Sequence, residues 1–96
     1  MSKYKNKRSP FSETLSALSD QSRQKIIDIL KDGEMAAGDI AKNFEFTAPT
    51  LSHHLDTLRK SGLISSRRDG QKILYSANMS VLEEVAEKII KLLRKK

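Results

Sequence analysis

Two groups of side chains in this chain of 96 residues have types and spacings suited to chemistry, and in both the chemistry is recognition of a polyanion. The first lies between Thr47 and Lys60. At about 100° per residue, Leu51, Leu55 and Leu58 fall on one helical stripe. Pro49, His53, Asp56 and Lys60 then point away from it, with Thr50, Ser52 and Thr57 on the flanks. Small, hydrogen-bonding side chains at a helix start permit close approach to DNA, and the first N–H groups there can meet a phosphate. His53 is read as a phosphate or base contact, and His54, on the flank of the stripe, as a packing residue. The second group is the basic run around Asp69-Gly70. Residues 47–76 hold Arg59, Lys60, Arg67, Arg68 and Lys72 against Asp56 and Asp69, a net charge of +3.

Catalysis and metal binding find less support. Ser52 and His53 are neighbours, but no third orienting group or oxyanion site accompanies them. There is no Gly-rich phosphate loop, and no cysteine, which excludes disulfides and thiolate metal sites. His53 and His54 diverge by about 100° on a helix and chelate one ion poorly. Glu83 and Glu87 are four apart, but read better as a solvated acidic first turn. The chain is therefore expected not to be an enzyme, and to have no cofactor, metal or small-molecule substrate.

These groups need elements to position them. Ser9-Pro10 reads as a cap and first helical position, with Phe11, Leu15 and Leu18 on one face of a short helix. Asp20 caps a second helix that turns Ile26, Ile27 and Leu30 inward and ends near Gly33. A third, poorly capped helix is expected from about Ala37 to Phe44. Thr47 caps a fourth, with Pro49 in its first turn and Gly62 at its end. The period then becomes extended. Leu63 to Arg68 and Gln71 to Ser76 flank Asp69-Gly70, a strong hairpin signal. Asn78 or Ser80 caps a last helix, about 81–94. The fold class expected is mainly α with a small β-hairpin, a winged helix-turn-helix in the order α-α-α-α-β-β-α. Residues 1–9 are expected to be a disordered basic arm, and 10–96 one DNA-binding domain that includes a C-terminal dimerisation helix.

Charge distribution agrees with a polyanion partner. The net charge is +6, yet residues 1–9 and 91–96 each carry +4. No apolar run exceeds three residues, so nothing reads as a membrane span, and the N-terminus does not read as a secretory signal; the cytoplasm is the expected location. The last helix is apolar over an arc of roughly 180°, through Leu82, Val85, Ala86, Ile89, Ile90, Leu92 and Leu93, where covering its own core takes about 100°. The surplus points to a homodimer through the first and last helices, with Phe11, Leu15, Leu18, Leu82, Val85, Ile89, Leu92 and Leu93 at the interface. A winged helix that docks proteins is the alternative reading, but such a helix more often exposes large apolar residues.

Three segments resemble ArsR-type repressors. Ala17 to Leu30 (ALSDQSRQKIIDIL) is similar to their opening helix pair, and Thr50 to Ile64 (TLSHHLDTLRKSGLI) to their recognition helix. Arg67 to Ser76 (RRDGQKILYS) is similar to their wing. The resemblance implies a homodimeric repressor that binds an inverted-repeat operator on double-stranded DNA near its own promoter. It places DNA contacts at Thr47, Ala48, Pro49, Thr50, Ser52 and His53, with Lys60 on the same outward face. In the wing it places Arg67, Arg68, Gln71 and Lys72 near phosphates or the minor groove. Where family members carry metal-binding cysteines this chain reads Glu34 to Ile40 (EMAAGDI), and its last helix lacks the Asp and His of the family's other metal site. That pattern resembles a metal-independent branch of autorepressors, that of the sporulation-delaying operon, and implies release by a sequestering membrane protein. A repressor that senses metal through a carboxylate and histidine site is the further alternative.

Overall fold

The structure is a computed structural model that describes residues 9–94; apart from Ser9, the basic arm expected at 1–9 lies outside the described residues. Eight elements follow in order. They are α1 (Pro10–Leu18), α2 (Gln21–Leu30), β1 (Met35–Ala36), α3 (Ala37–Ala41), α4 (Ala48–Lys60), β2 (Ile64–Asp69), β3 (Lys72–Ala77) and α5 (Met79–Leu93). None of the described helices is long and apolar enough to cross a membrane.

The first three expected caps form where the sequence places them. Ser9 accepts from the Ser12 amide, Asp20 from the Arg23 amide at 3.0 Å, and Thr47 from the Thr50 amide at 3.4 Å. Pro10 and Pro49 sit in first turns, where a missing N–H leaves no bond unmade. The helix starting at Ala37 has no side-chain cap and stops at Ala41, three residues short of the expected Phe44. There the Asn43 side chain donates back to the carbonyls of Asp39 and Ile40.

The core is built from facing apolar rows. Ile26, Ile27 and Leu30 of α2, Ile40 of α3, and Leu51, Leu55 and Leu58 of α4 are buried together with Ala17, Leu63 and Ile64. Ile26, Ile40, Leu58 and Leu63 are fully enclosed. Helix α1 meets the core chiefly through small side chains. Thr14 and Ala17 are buried, while Phe11, Leu15 and Leu18 are only half-buried. The Thr14 hydroxyl shares its proton between the carbonyls of Pro10 (2.9 Å) and Ser61 (3.1 Å), which ties α1 to the end of α4.

The sheet has three strands in the order β1-β3-β2, all antiparallel. Strand β1 was absent from the sequence reading because two residues carry no periodicity. It pairs Met35 with Tyr75 and Ala36 with Leu74, anchoring the hairpin to the body. The hairpin turn is displaced by one residue from that expected, which shifts the strand pairing by two and preserves the faces. Asp69 pairs with Lys72, so the loop is Gly70-Gln71. Gly70 has φ 65° and Gln71 has no positive φ, the pattern of a type II′ turn, which takes Gly at its first central position. Helix α5 starts at Met79, two residues before the expected 81, so the glutamates 83, 84 and 87 fall beyond its first turn. Asn78 occupies the cap position, but its side chain works elsewhere. It donates to the Gly62 carbonyl at 2.7 Å and accepts from the Ser65 hydroxyl at 2.9 Å, while its backbone N–H donates to Leu63 at 2.9 Å.

Two stability measurements test this account. Leu58→Ala should cost about 3 kcal/mol in urea unfolding at fixed protein concentration, because a fully enclosed side chain leaves a cavity. The Asp20 carboxyl is held below the usual carboxylate range, chiefly by the Arg23 amide it caps. Its contribution is therefore complete above that range and lost as pH falls through the lowered value. Asp20→Asn should keep the cap near neutrality and lose less stability than wild type on acidification, as measured by thermal unfolding.

Candidate nucleic-acid interface

Helices α3 and α4 form a helix-turn-helix, with α4 packed against α2 and α3 through its leucine row. Burying that row turns the opposite face outward. Thr47, Ala48, Pro49, Thr50, Ser52, His53 and Lys60 are all exposed. The Thr47 and Thr50 hydroxyls lie 3.1 Å apart at the helix start. At the other end the Asp56 carboxylate pairs with Arg59 (2.9 Å) and Lys60 (3.0 Å). The Lys60 ammonium, and then the Arg59 guanidinium, hold that carboxyl below the usual range. The triple keeps one net positive charge where α4 leaves the contact face.

The hairpin projects from the C-terminal side of α4. Arg68, Gln71 and Lys72 are exposed near its tip, and neither Arg68 nor Lys72 has an ion-pair partner among the described residues. Arg67 is different. Successive strand residues face opposite ways, so it parts from Arg68. Its Nε and Nη2 donate to both carboxylate oxygens of Glu34, the Nε bond at 3.0 Å. In the register, Arg67 lies opposite Leu74, which lies opposite Ala36, so the side chain reaches across β3 toward the strand on its far side. Arg67, expected near phosphates or the minor groove, is thus engaged by a carboxylate through Nε and Nη2, while its remaining N–H donors stay on an exposed side chain. Nothing in the sequence signals this pair, which spans 33 positions.

His54 was read as a packing residue, and the structure agrees. It is half-buried, with its ring 5.5 Å from that of Phe46, which stacks on Phe44 at 4.5 Å. Its Nδ1 lies 3.2 Å from Nη1 of Arg23. Burial lowers the imidazole's proton affinity, Asp20 opposes that, and Arg23 and His53 reinforce it. The rings of His53 and His54 are 5.9 Å apart and tilted. Among the described residues no three His, Cys, Asp or Glu side chains gather to hold a metal ion.

The residues of the expected dimer interface divide into two sets. Val85 is buried within the protomer and Leu82 is half-buried against the core, so neither is offered freely to a partner. Ile89 (40% exposed), Ile90 (48%), Leu92 (76%) and Leu93 (77%) lie open along the outer half of α5. Phe11, under the Lys88 ammonium at 5.1 Å, joins α1 to the same helix.

Comparison with known proteins gives consistent results. Residues 20–66 match the family model described as "Bacterial regulatory protein, arsR family". The transcriptional repressor SdpR of Bacillus subtilis (strain 168) is 50% identical over 68 residues, which cover 71% of this chain and 76% of that protein. An ArsR-like transcriptional regulator from Rhodococcus sp. RHA1 superposes with a TM-score of 0.79 at 25% identity, over 86% of this chain and 78% of that one. The homodimeric winged helix-turn-helix DNA-binding domain of Mb0332 from Mycobacterium bovis, solved by NMR, superposes with a TM-score of 0.73 at 25% identity, over 96% and 90% of the two chains.

The Glu34–Arg67 pair has a direct readout. Its hydrogen bonds hold the Glu34 carboxyl below the usual range and raise the Arg67 guanidinium. In an NMR titration of side-chain carboxyl carbons, Glu34 should titrate below the other glutamates, and Arg67→Gln should return it toward them.

Proposed function

The chain belongs to the arsR family of bacterial regulatory proteins, DNA-binding regulators of transcription built on a winged helix-turn-helix, and from that membership we propose that it is a repressor. In this reading it acts as a homodimer on an inverted-repeat operator near its own promoter, without a thiolate metal sensor. The chain has no cysteine from which such a sensor could be built. The observation that carries the reading is the outward face of α4. A helix start lined by Thr47, Ala48, Pro49, Thr50, Ser52 and His53 fits the major groove without large side chains in the way. Ala48 suits a thymine methyl, and the hydroxyls and imidazole suit base edges or phosphates. Lys60, Arg68, Gln71 and Lys72 extend the contact to the backbone. Arg67 enters this proposal only as a brace for the wing.

Dimerisation follows from the uncovered apolar surface. Ile89, Ile90, Leu92 and Leu93 would be covered by the α1 and α5 of a second copy, where Phe11, Leu15 and Leu18 also have surface to bury. A two-fold pair would set the two α4 helices about 34 Å apart or at a multiple of that, matching half-sites on one face of the duplex. The homodimeric Mycobacterium bovis neighbour and the printed role of the Bacillus subtilis relative support this reading. A protein-docking winged helix would instead expose large apolar side chains on α4, and the exposed residues there are not of that kind.

Fluorescence anisotropy with the duplex upstream of the protein's own gene, against a shuffled duplex, tests the proposal. Tight binding to the native duplex alone is expected, unchanged by zinc or chelator; equal, weak binding to both would overturn it. Arg68→Gln and Lys72→Gln should each lower the salt slope of dimer binding by about two, one contact from each protomer, whereas Arg67→Gln should leave it unchanged. Ile89→Glu with Leu93→Glu should sediment as a monomer at micromolar concentration and lose about 100-fold in operator affinity.

A further inference from the structure

We infer that Arg23 is a positioning residue of the DNA-reading helix, acting through the neutral imidazole of His54. Three helices meet at this guanidinium. Its Nε donates at 2.7 Å to the Ala17 carbonyl, one of the groups that the end of a helix leaves without an intrahelical partner, and its Nη2 donates at 3.3 Å to the Ser16 carbonyl, which also accepts from Ser19. No basic residue lies in the last turn of α1, so Arg23 also supplies the cation that the helix dipole favours there. Its backbone is pinned in turn by the Asp20 cap. The remaining arm, Nη1, reaches His54 Nδ1 on α4 at 3.2 Å.

The chemistry of this last contact restricts the imidazole to one state. Arginine has only donors, so Nδ1 must accept. His54 therefore carries its single proton on Nε2 and is uncharged. Protonation would turn Nδ1 into a donor facing a donor and set two cations 3.2 Å apart. The groups facing the ring are Arg23 and Asp20 from α2, His53 from α4 and the Phe46 ring from the turn before α4. Asp20 offsets part of the repulsion, but its carboxylate is already occupied by the Arg23 amide. His53, the adjacent residue, belongs to the exposed face assigned to DNA. Loss of the Arg23 contact thus acts one residue from that face and shifts α4 against α2.

The sign of the pH effect separates this role from simple electrostatics. Acid adds positive charge, which by itself tightens binding to DNA, and protonation of exposed His53 acts in that direction. Through His54 the effect is reversed. Because the folded environment favours the neutral ring, the contact is intact at neutral and higher pH and is lost as pH falls through the lowered His54 value.

The inference rests on the DNA-binding reading, so the experiment has one arm without DNA. Operator affinity of the full chain is measured by anisotropy from about pH 7.5 down to the lowest pH at which circular dichroism still reports a folded protein. Wild type should weaken about tenfold across that range. His54→Asn, which keeps an uncharged acceptor near the Nδ1 position, should bind within about twofold of wild type at the upper pH and lose the acid step. Arg23→Met should bind about tenfold more weakly at the upper pH with no further acid step, and His53→Asn should retain the step. In the free protein, nitrogen NMR should report the Nε2–H tautomer of His54 and shifts of α4 amides as it titrates. A rising or flat wild-type affinity with acid, an acid step that survives in His54→Asn, or an Nδ1–H tautomer would each overturn the role of Arg23. Absence of operator preference at the upper pH would overturn the DNA reading instead, and the tautomer and α4 shifts would then decide the Arg23 contact alone.

Discussion

Leu58 is wholly enclosed where α4 meets α2 and the base of the hairpin, and Leu51 and Leu55 continue its row along the helix. The remaining structure depends on that row. Among the described residues only eleven apolar side chains are buried, so the helix that faces outward with Thr47, Thr50, Ser52 and His53 is also the centre of the core. A larger protein could mount its reading helix on a separate scaffold. Here one helix has two faces with two purposes, and the burial of one dictates the orientation of the other.

This dual use explains why the ends of α4 are so heavily tied. Its start is capped by Thr47 and flanked by the Phe44–Phe46 stack, against which His54 rests. Its end is held to α1 by Thr14 and Ser61, and to the hairpin by the bond from the Leu63 N–H to the Leu58 carbonyl at 3.0 Å. None of these contacts is strong alone, since a net hydrogen bond contributes about 1 kcal/mol. Together they oppose the rotation of a short helix about its leucine row, which apolar packing resists weakly because it is non-directional.

Much of this was legible in the sequence, and the part that was not has a common cause. Ser9, Asp20 and Thr47 announce their helices through local chemistry, and the leucine and isoleucine rows announce their faces through period. Gly70 marks the hairpin, though the reading that centred the turn on Asp69-Gly70 missed the turn by one residue and the strand register by two; strand pairing is settled by the whole sheet, including a two-residue β1 too short to show a pattern. The exposed face of α4 was read correctly because burial of the leucines determines it. The pairing of Arg67 was not legible, because its partner Glu34 lies across the sheet, and neither residue carries a local sign of the other. The buried residues of α1 were not legible either. Thr14 and Ala17 are small enough to let α1 lie close to its neighbours, while the bulkier Phe11, Leu15 and Leu18 are left partly outside. In a domain this small, large apolar residues serve assembly as readily as folding.

Asn78 has a consequence of another kind. It joins both feet of the hairpin at one point, through the Gly62 carbonyl, the Leu63 carbonyl and the Ser65 hydroxyl, immediately before α5 begins. The loop at Gly70-Gln71 lies at the far end of the two strands, away from that clasp. Residues inserted in pairs at the tip would preserve the alternation of faces and leave the clasp and the core untouched. The wing is thus a part whose reach can be altered independently, so that descendants of one scaffold can span different widths of duplex while keeping the same reading helix.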